Sequence, residues 1–466
     1  MKYNVILALV LLATARPGLG AAEPAAPTVA TTNRDEIVYQ WNLKTLVGDY
    51  DTIGGRDAKW DKAARLALTE YARERSWPAT NSDARALAIA EASRAAKAAG
   101  CTDAMVLYLY ANYAAADKVE DDRQLAFAFR KAADALQDSL YHPVRKLFAT
   151  MRAAQAYSDA AGTTTNYSTE VRLYRGLAVN NMAAVLRDKQ TPIEEVYYAG
   201  HYLLDEVKQH PKTYALALEH LERGLLRGWT NEYLTFFLRG EAYFHHASHT
   251  GGTNLAGATP EEKTRVTRER LEIAGWAFQQ AWSMNPRDER IPTEMIRVEI
   301  GLGRGRIEME KWFARAMALE ADHYLACYQK LRWLAPEAHG SAAEMLAFAR
   351  ECVASKEWGG DVPLVLADAH ALLAAAVPDA EWTGYWKRPG VWPDLQASFE
   401  KYFALNPKAT SRRKDYVRYA YWCEQWSALG EQLGKLRSTN YVFFGGPDEF
   451  KKMVRLAKEK PAPSAK

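Results

Sequence analysis

The residues with the most obvious chemical capacity are three histidines in His245-His246-Ala247-Ser248-His249, the chain's one histidine cluster. On a helix, His245 and His249 fall one turn apart and could ligate a metal from one face. A zinc-protease motif needs Glu directly after the first histidine as general base, and His246 stands there instead. No distant third ligand is identifiable, so the expected reading is a polar helix end whose imidazoles sit at the negative pole of the helix dipole. His245 and His249 remain weak metal candidates, and no metal or cofactor is expected. Gly301-Leu302-Gly303-Arg304-Gly305-Arg306 lacks the Gly-Lys-Ser/Thr ending of a phosphate loop and has no strand before it. It is expected to be a turn between helices carrying two solvated arginines. There is no Gly-x-Ser-x-Gly elbow and no Cys-x-x-Cys pair, and no acid pair stands out. No catalytic residues are assigned.

The segment Glu381 to Val391-Trp392 is different in kind. It holds Trp382, Tyr385, Trp386 and Trp392 among Gly384, Pro389 and Gly390, with the cations Lys387 and Arg388. Glycine and proline predict a loop, and loops expose their side chains more than helices do. Exposed, the four aromatics could stack on a sugar ring or grip a peptide. They are the candidate ligand-binding residues. The competing expectation is that they fold back and plug the join between two structural repeats, since Trp buries most of its surface in most proteins.

The elements that would position these residues are helices. Apolar side chains recur at helical spacing from Arg34 onward, and no stretch alternates as a strand would. Gly100 sits where a helix C-cap is wanted, and Pro143 fits a first helical turn. Thr191-Pro192-Ile193-Glu194 reads as a capping box, and His210-Pro211 as a break before the next helix. Short polar turns between such helices imply antiparallel neighbours.

A spacing recurs among them. Ala274-x3-Phe278-x2-Ala281-x3-Asn285-Pro286 places small and large residues on one helix face and ends in proline. Leu395-x3-Phe399-x2-Tyr402-x3-Asn406-Pro407 and Met309-x3-Phe313-x2-Ala316 repeat it, Ala217-x3-Leu221-x2-Gly224 is a weaker copy, and Gly240-x2-Tyr243 gives the matching small-then-aromatic step of a first helix. Phe313 follows Phe278 by 35 residues, near the roughly 34-residue period of tetratricopeptide repeats. The pattern resembles that family's second helix: small residues let the paired helix approach, the aromatic fills the gap and proline sets the turn. The resemblance implies an all-α fold, an α-solenoid of antiparallel helix pairs forming a tetratricopeptide-like superhelix. Phe278, Phe313 and Phe399 would then be core. Separately, Ala335 to Arg350, with His339-Gly340-Ser341 and a closing Phe-Ala-Arg, is similar to the bacterial helical family catalogued as domain of unknown function 4034. That likeness spans roughly 230–452, and the family supplies no activity.

Composition agrees with a large packed chain. The 466 residues are 48% hydrophobic with 14 Trp, too apolar for disorder. Sixty basic against 57 acidic residues leave a net charge of +3, which argues against a nucleic-acid-coating protein. Lys2, the apolar run Val5 to Ala13, Arg16-Pro17-Gly18 and the small residues Gly20, Ala21 and Ala22 follow the order of a secretory signal peptide. The run is shorter than the roughly 20 residues of a membrane span, so the expectation is an exported, periplasmic or extracellular chain without membrane insertion. Of the four cysteines, Cys327 and Cys352 are the best-placed pair for a disulfide on successive helices, and isolated buried thiols are the equal alternative.

The expected organisation is a signal peptide over 1–22, a flexible leader over 23–33, helical pairs over 34–228, a tetratricopeptide-like region over 229–458 and a tail over 459–466. The expected function is an exported, non-catalytic scaffold that binds a protein or peptide partner in the bacterial envelope. The alternative is an exported enzyme or binding protein acting on cell-wall carbohydrate or peptide, with cell-wall glycan as ligand.

Overall fold

The computed structural model describes residues 33–76, 82–115, 122–161, 167–248, 258–407, 409, 412–436 and 442–459. The expected signal peptide and leader over 1–32, His249, the loop over 249–257 and the tail beyond 459 lie outside them. Among the described residues every regular element is helical, and they divide into two compact units, one over 33–286 and one over 287–459.

The first unit runs α1 (Asn33–Leu43), a π turn (Lys44–Gly48), α2 (Asp49–Ile53), α3 (Asp61–Ser76), α4 (Ser82–Ala98), α5 (Ala104–Tyr113), α6 (Asp122–Gln137), α7 (Pro143–Asp159), α8 (Ser168–Val185), α9 (Ile193–Val207), α10 (Pro211–Gly228), α11 (Tyr233–Ser248) and α12 (Pro260–Met284). Helices pair in chain order from α3/α4 to α11/α12, and the leading helices also touch one another in series: α3 with α5, α5 with α7, α7 with α9 and α9 with α11. This is the stacking of an α-solenoid, in which no pair can bury its apolar face alone. The expected junction at Gly228 lies within this unit, where α10 packs on α11.

Local signals act largely as the sequence implies. His142 caps α7, accepting from Val144 N at 3.2 Å, with Pro143 in the first turn, and Pro211 opens α10. Gly100 follows α4 at φ 99°. Thr191 departs from expectation. Its hydroxyl donates to Asp188 at 3.0 Å, Pro192 occupies the cap position, and no side chain caps α9.

The repeat pattern works as a close-approach device. Phe278 on α12 is fully buried against Gly240 of α11, where a Cβ would fall 2.5 Å from the ring. One pair earlier, a Cβ at Gly200 of α9 would fall 2.5 Å from Leu238 of α11 and 3.1 Å from Leu221 of α10. Leu221, the weak copy, thus shares with Leu238 the close approach that Phe278 makes alone in the next pair.

The second unit contains α13 (Arg290–Leu302), α14 (Arg306–Leu319), α15 (Tyr324–Trp333), α16 (Ala342–Ala354), α17 (Val365–Ala376), α18 (Trp382–Tyr385), α19 (Val391–Leu405), α20 (Arg413–Trp422), α21 (Trp426–Gly434) and α22 (Pro447–Glu459). The leading helices α13, α15 and α17 again touch in series. Phe313 and Phe399 are core residues, as expected. The glycine-rich turn between α13 and α14 uses positive φ at Gly303 and Gly305. Its arginines are not free: Arg304 pairs with Glu299 at 3.4 Å and Arg306 with Glu344 at 2.9 Å. All four cysteines are buried free thiols, the alternative held beside a Cys327–Cys352 bridge. No described helix is long and apolar enough to cross a membrane.

Candidate functional site

The aromatic segment is not a loop. Asp379–Glu381 form a 3-10 turn, α18 follows at once, and Gly390 at φ 93° leads into α19, which carries Trp392 in its first turn. Of the four candidate residues, Tyr385 and Trp386 are 4% and 2% exposed, which removes them from the accessible surface. Trp386 packs on Trp422 and Tyr419 of α20, with ring centroids 5.1 and 5.4 Å away. Trp382 is half-buried with its ring edge-on to Trp422 at 5.0 Å, and Trp392 is half-buried and stacked on Tyr416 at 5.8 Å. The segment fills the space between the α17/α19 pair and α20, the plug arrangement weighed as the alternative. Only parts of Trp382 and Trp392 can meet a ligand. The cations are engaged as well: Lys387 pairs with Glu424 at 2.7 Å, and Arg388 lies over the Tyr385 ring at 4.9 Å.

Beneath the plug runs a relay that the sequence does not announce. His370 of α17, 2% exposed, faces the Tyr385 hydroxyl through Nδ1 at 2.9 Å and Asp394 of α19 through Nε2 at 3.1 Å. Arg350 of α16 grips the Asp394 carboxylate with two nitrogens, the shorter contact 2.8 Å. Burial lowers the His370 pKa more than Asp394 restores it. Burial pushes Asp394 up, but Arg350 and His370 outweigh it and hold the carboxyl below its ordinary value. A neutral imidazole that accepts a hydrogen bond from the tyrosine hydroxyl at Nδ1 and donates to the carboxylate at Nε2 satisfies this chain. Every member is occupied by another, so the relay orients α18 and has no group left for substrate.

His245 sits half-buried on α11, edge-on to Phe244 at 5.9 Å, and its expected partner His249 lies outside the described residues. Among the described residues, no three His, Cys, Asp or Glu side chains stand together as a metal site.

Two polar clusters on the leading helices complete the candidates. In the first unit, the fully enclosed Glu195 of α9 receives Arg75 of α3 at 2.8 Å and Asn42 of α1 at 3.0 Å. Arg145 of α7, 1% exposed, donates to Asn42 at 2.5 Å and Thr45 at 2.8 Å. Burial pushes the Glu195 carboxyl up, yet the two guanidiniums hold it below its ordinary value. Arg34 adds pairs to Glu194 and, at 2.6 Å, to Glu232, so α1 is tied to both α9 and the start of α11. The cluster is enclosed, and Nε and Nη1 of Arg145 are left without a hydrogen-bond partner in it.

In the second unit the equivalent residues are half-buried and more open. Tyr324 of α15 donates to Asp368 of α17 at 2.8 Å, and Tyr328 stacks on Tyr324 one turn on, at 6.2 Å. Arg412 reaches Asp361 at 3.4 Å and Asp415 at 4.0 Å, while Arg418 reaches Asp415 at 3.4 Å. Burial pushes the Asp368 carboxyl up to about 6, against the opposing pull of Tyr324 and Arg412, and burial raises Asp415 as well. Three carboxylates, Asp361, Asp368 and Asp415, share Arg412, Arg418 and the nearby Lys414 here.

No protein-family profile matches the chain, so the likeness to domain of unknown function 4034 gains no support there. No curated protein matches it either. Among solved structures, a monomeric mutant of IFIT1 with Gppp-AAAA aligns over 81% of this chain and 96% of its own, at 12% identity and a TM-score of 0.32. A superposition that loose carries no argument about function.

Proposed function

We propose that this chain is an exported, non-catalytic helical-repeat scaffold that holds a protein or peptide partner. The observation that carries the reading is the serial contact of the leading helices, because consecutive pairs then present one shared face. Stacked helix pairs use such a face to hold an extended partner through shape and a few polar contacts. In the first unit that face is occupied by the chain's own α1 and the buried Glu195 cluster. The second unit offers the half-buried seam of Tyr328, Asp361, Asp368 and Arg412, whose carboxylates suit a basic side chain of the partner. The exposed parts of Trp382 and Trp392 lie in the same unit and would provide apolar contact.

The test is site-specific photocrosslinking in the native cell. A benzophenone side chain at Asp361 or Trp382 is expected to capture one reproducible protein, and the same group at Leu140, which is 81% exposed in the first unit, is not. Capture of glycan alone, or equal capture from all three positions, would refute the scaffold reading.

A further inference from the structure

The segment 378–390 is a thin cover with a hinge at each end. Val377 and Pro378 are extended after α17, with ψ of 154° and 152°, and Gly390 at φ 93° turns the chain before α19. Between the hinges only Tyr385 and Trp386 are buried and Trp382 is half-buried, while the other residues are exposed. These three anchors sit on the Trp422 and Tyr419 rings and on His370. The seat is imperfect: the buried Trp386 indole N–H has no acceptor among the described residues, and a buried donor left unmade weighs against the shut state. Lys387 ties the segment to Glu424 at 2.7 Å through an exposed ion pair, which contributes little.

His370 is the inner catch. Its Nε2–H donates to Asp394, so Nδ1 must accept from the Tyr385 hydroxyl. A proton added to Nδ1 sets N–H against O–H, and the hydroxyl must turn and surrender its own donation inside the fold. Asp394 is not free to balance the new charge, because Arg350 of α16 already holds it at 2.8 Å. Burial keeps the imidazole neutral against the pull of Asp394, and Arg350 adds to the effect. Elsewhere on α17, Asp368 faces Tyr324 and Tyr328 of α15 and Arg412, and on α18 Tyr385 faces Arg388 and Cys423.

We propose that 378–390 is an acid-released cover: one proton taken up by His370 unseats Tyr385, and the segment swings off the Trp422 and Tyr419 rings. Opening gives the imidazolium water and lets the tyrosine hydroxyl find a new acceptor, so the open form is the one that binds the extra proton. Trp382, Trp386, Trp422 and Tyr419 then form an accessible aromatic face that the shut form hides. The device rests on no part of the partner reading, since it concerns the segment's own equilibrium.

The test is hydrogen exchange of the full chain at pH 7.5 and pH 5.5, read by mass spectrometry and corrected for intrinsic rates. A histidine that has its ordinary pKa of about 6.5 when open, and stays neutral when shut, raises the open population up to about tenfold over that interval. Amides of 379–390 are expected to lose protection on that scale, while those of 395–405 in α19 keep theirs. His370→Gln retains a donor and an acceptor without titrating and should remove the pH dependence. Tyr385→Phe removes the opposed hydroxyl and should exchange faster at pH 7.5 with a shallower pH response. Equal protection at both pH values in the wild-type chain would overturn the proposal. So would a loss shared equally by 395–405, or an undiminished pH response in either variant once circular dichroism has verified that it is folded.

Discussion

Replacing Gly240 by alanine tests the close approach on which the helix pairing rests. A Cβ at this position would lie 2.5 Å from two ring atoms of Phe278 and 2.7 Å from a third. The ring cannot swing aside freely, because it is fully enclosed and packs on Phe237 at 5.5 Å. Overpacking of this kind costs about 1–3 kcal/mol, while alanine in a helix interior returns about 1 kcal/mol relative to glycine. The net expectation for Gly240→Ala is a loss of about 1 kcal/mol. In a Phe278→Leu background the clash is relieved and the helix preference remains, so the same substitution should become neutral or stabilising. The coupling between the two sites is then about 1–3 kcal/mol, the size of the relieved clash. Gly176 on α8 is the control: nothing lies within 4 Å of its hypothetical Cβ, and Gly176→Ala should stabilise by about 0.5–1 kcal/mol. Urea unfolding followed by circular dichroism measures the wild type and all four variants. A Gly240→Ala chain as stable as wild type, or a double variant whose effects simply add, would refute the argument that this glycine exists to admit the ring.

Other outcomes follow from the buried charges. Glu195→Ala strands Arg75 and Arg145 and should cost about 3–5 kcal/mol, read as a lower urea midpoint, with Glu195→Gln recovering part through its contact with Asn42. Burial lowers the His370 pKa, so the unfolded chain binds more protons near its ordinary value. Stability should therefore fall as pH drops below about 6.5, and a His370→Gln variant should show a flatter profile over that range in thermal melts. Asp368 has the opposite sign. Its pKa of about 6 lies above the unfolded value, so its contribution is present at acid pH and is lost as pH rises through 6. Asp368→Asn should accordingly gain stability at pH 8 relative to wild type and gain little at pH 4.

How far the sequence carried these conclusions depends on the range of the interactions. Phe278, Phe313 and Phe399 were legible because their small–large spacing lies within single helices and the partner face repeats it. The fate of Trp386 was not, because exposure or burial is decided by Trp422 and Tyr419, residues 33 or more positions away that show no pattern of their own. His370 and Asp394 look like ordinary helix residues until α17 and α19 are side by side. Thr191 misleads in the other direction: its capping motif is intact locally, but Asp188 claims the hydroxyl. Arg75, Arg145 and Glu195 read one by one as solvated helix charges, since only the tertiary arrangement takes them out of water.

The Arg75–Glu195 contact joins residues 120 positions apart and crosses from α3 to α9. In an ordinary helical array each pair answers only to its neighbours, so the ends can loosen while the middle holds. A clasp between the first and fourth helix pairs of the stack, α3/α4 and α9/α10, abolishes that independence. Opening the N-terminal end would require α9 to release its charge partner at the same moment, and hydrogen exchange across α1, α3, α7 and α9 should then proceed as one event with a common free energy. The same clasp makes assembly slower, because the long intervening loop must close before the ion pair contributes. The first unit has thereby given up the graded elasticity of a solenoid and behaves as a latched block.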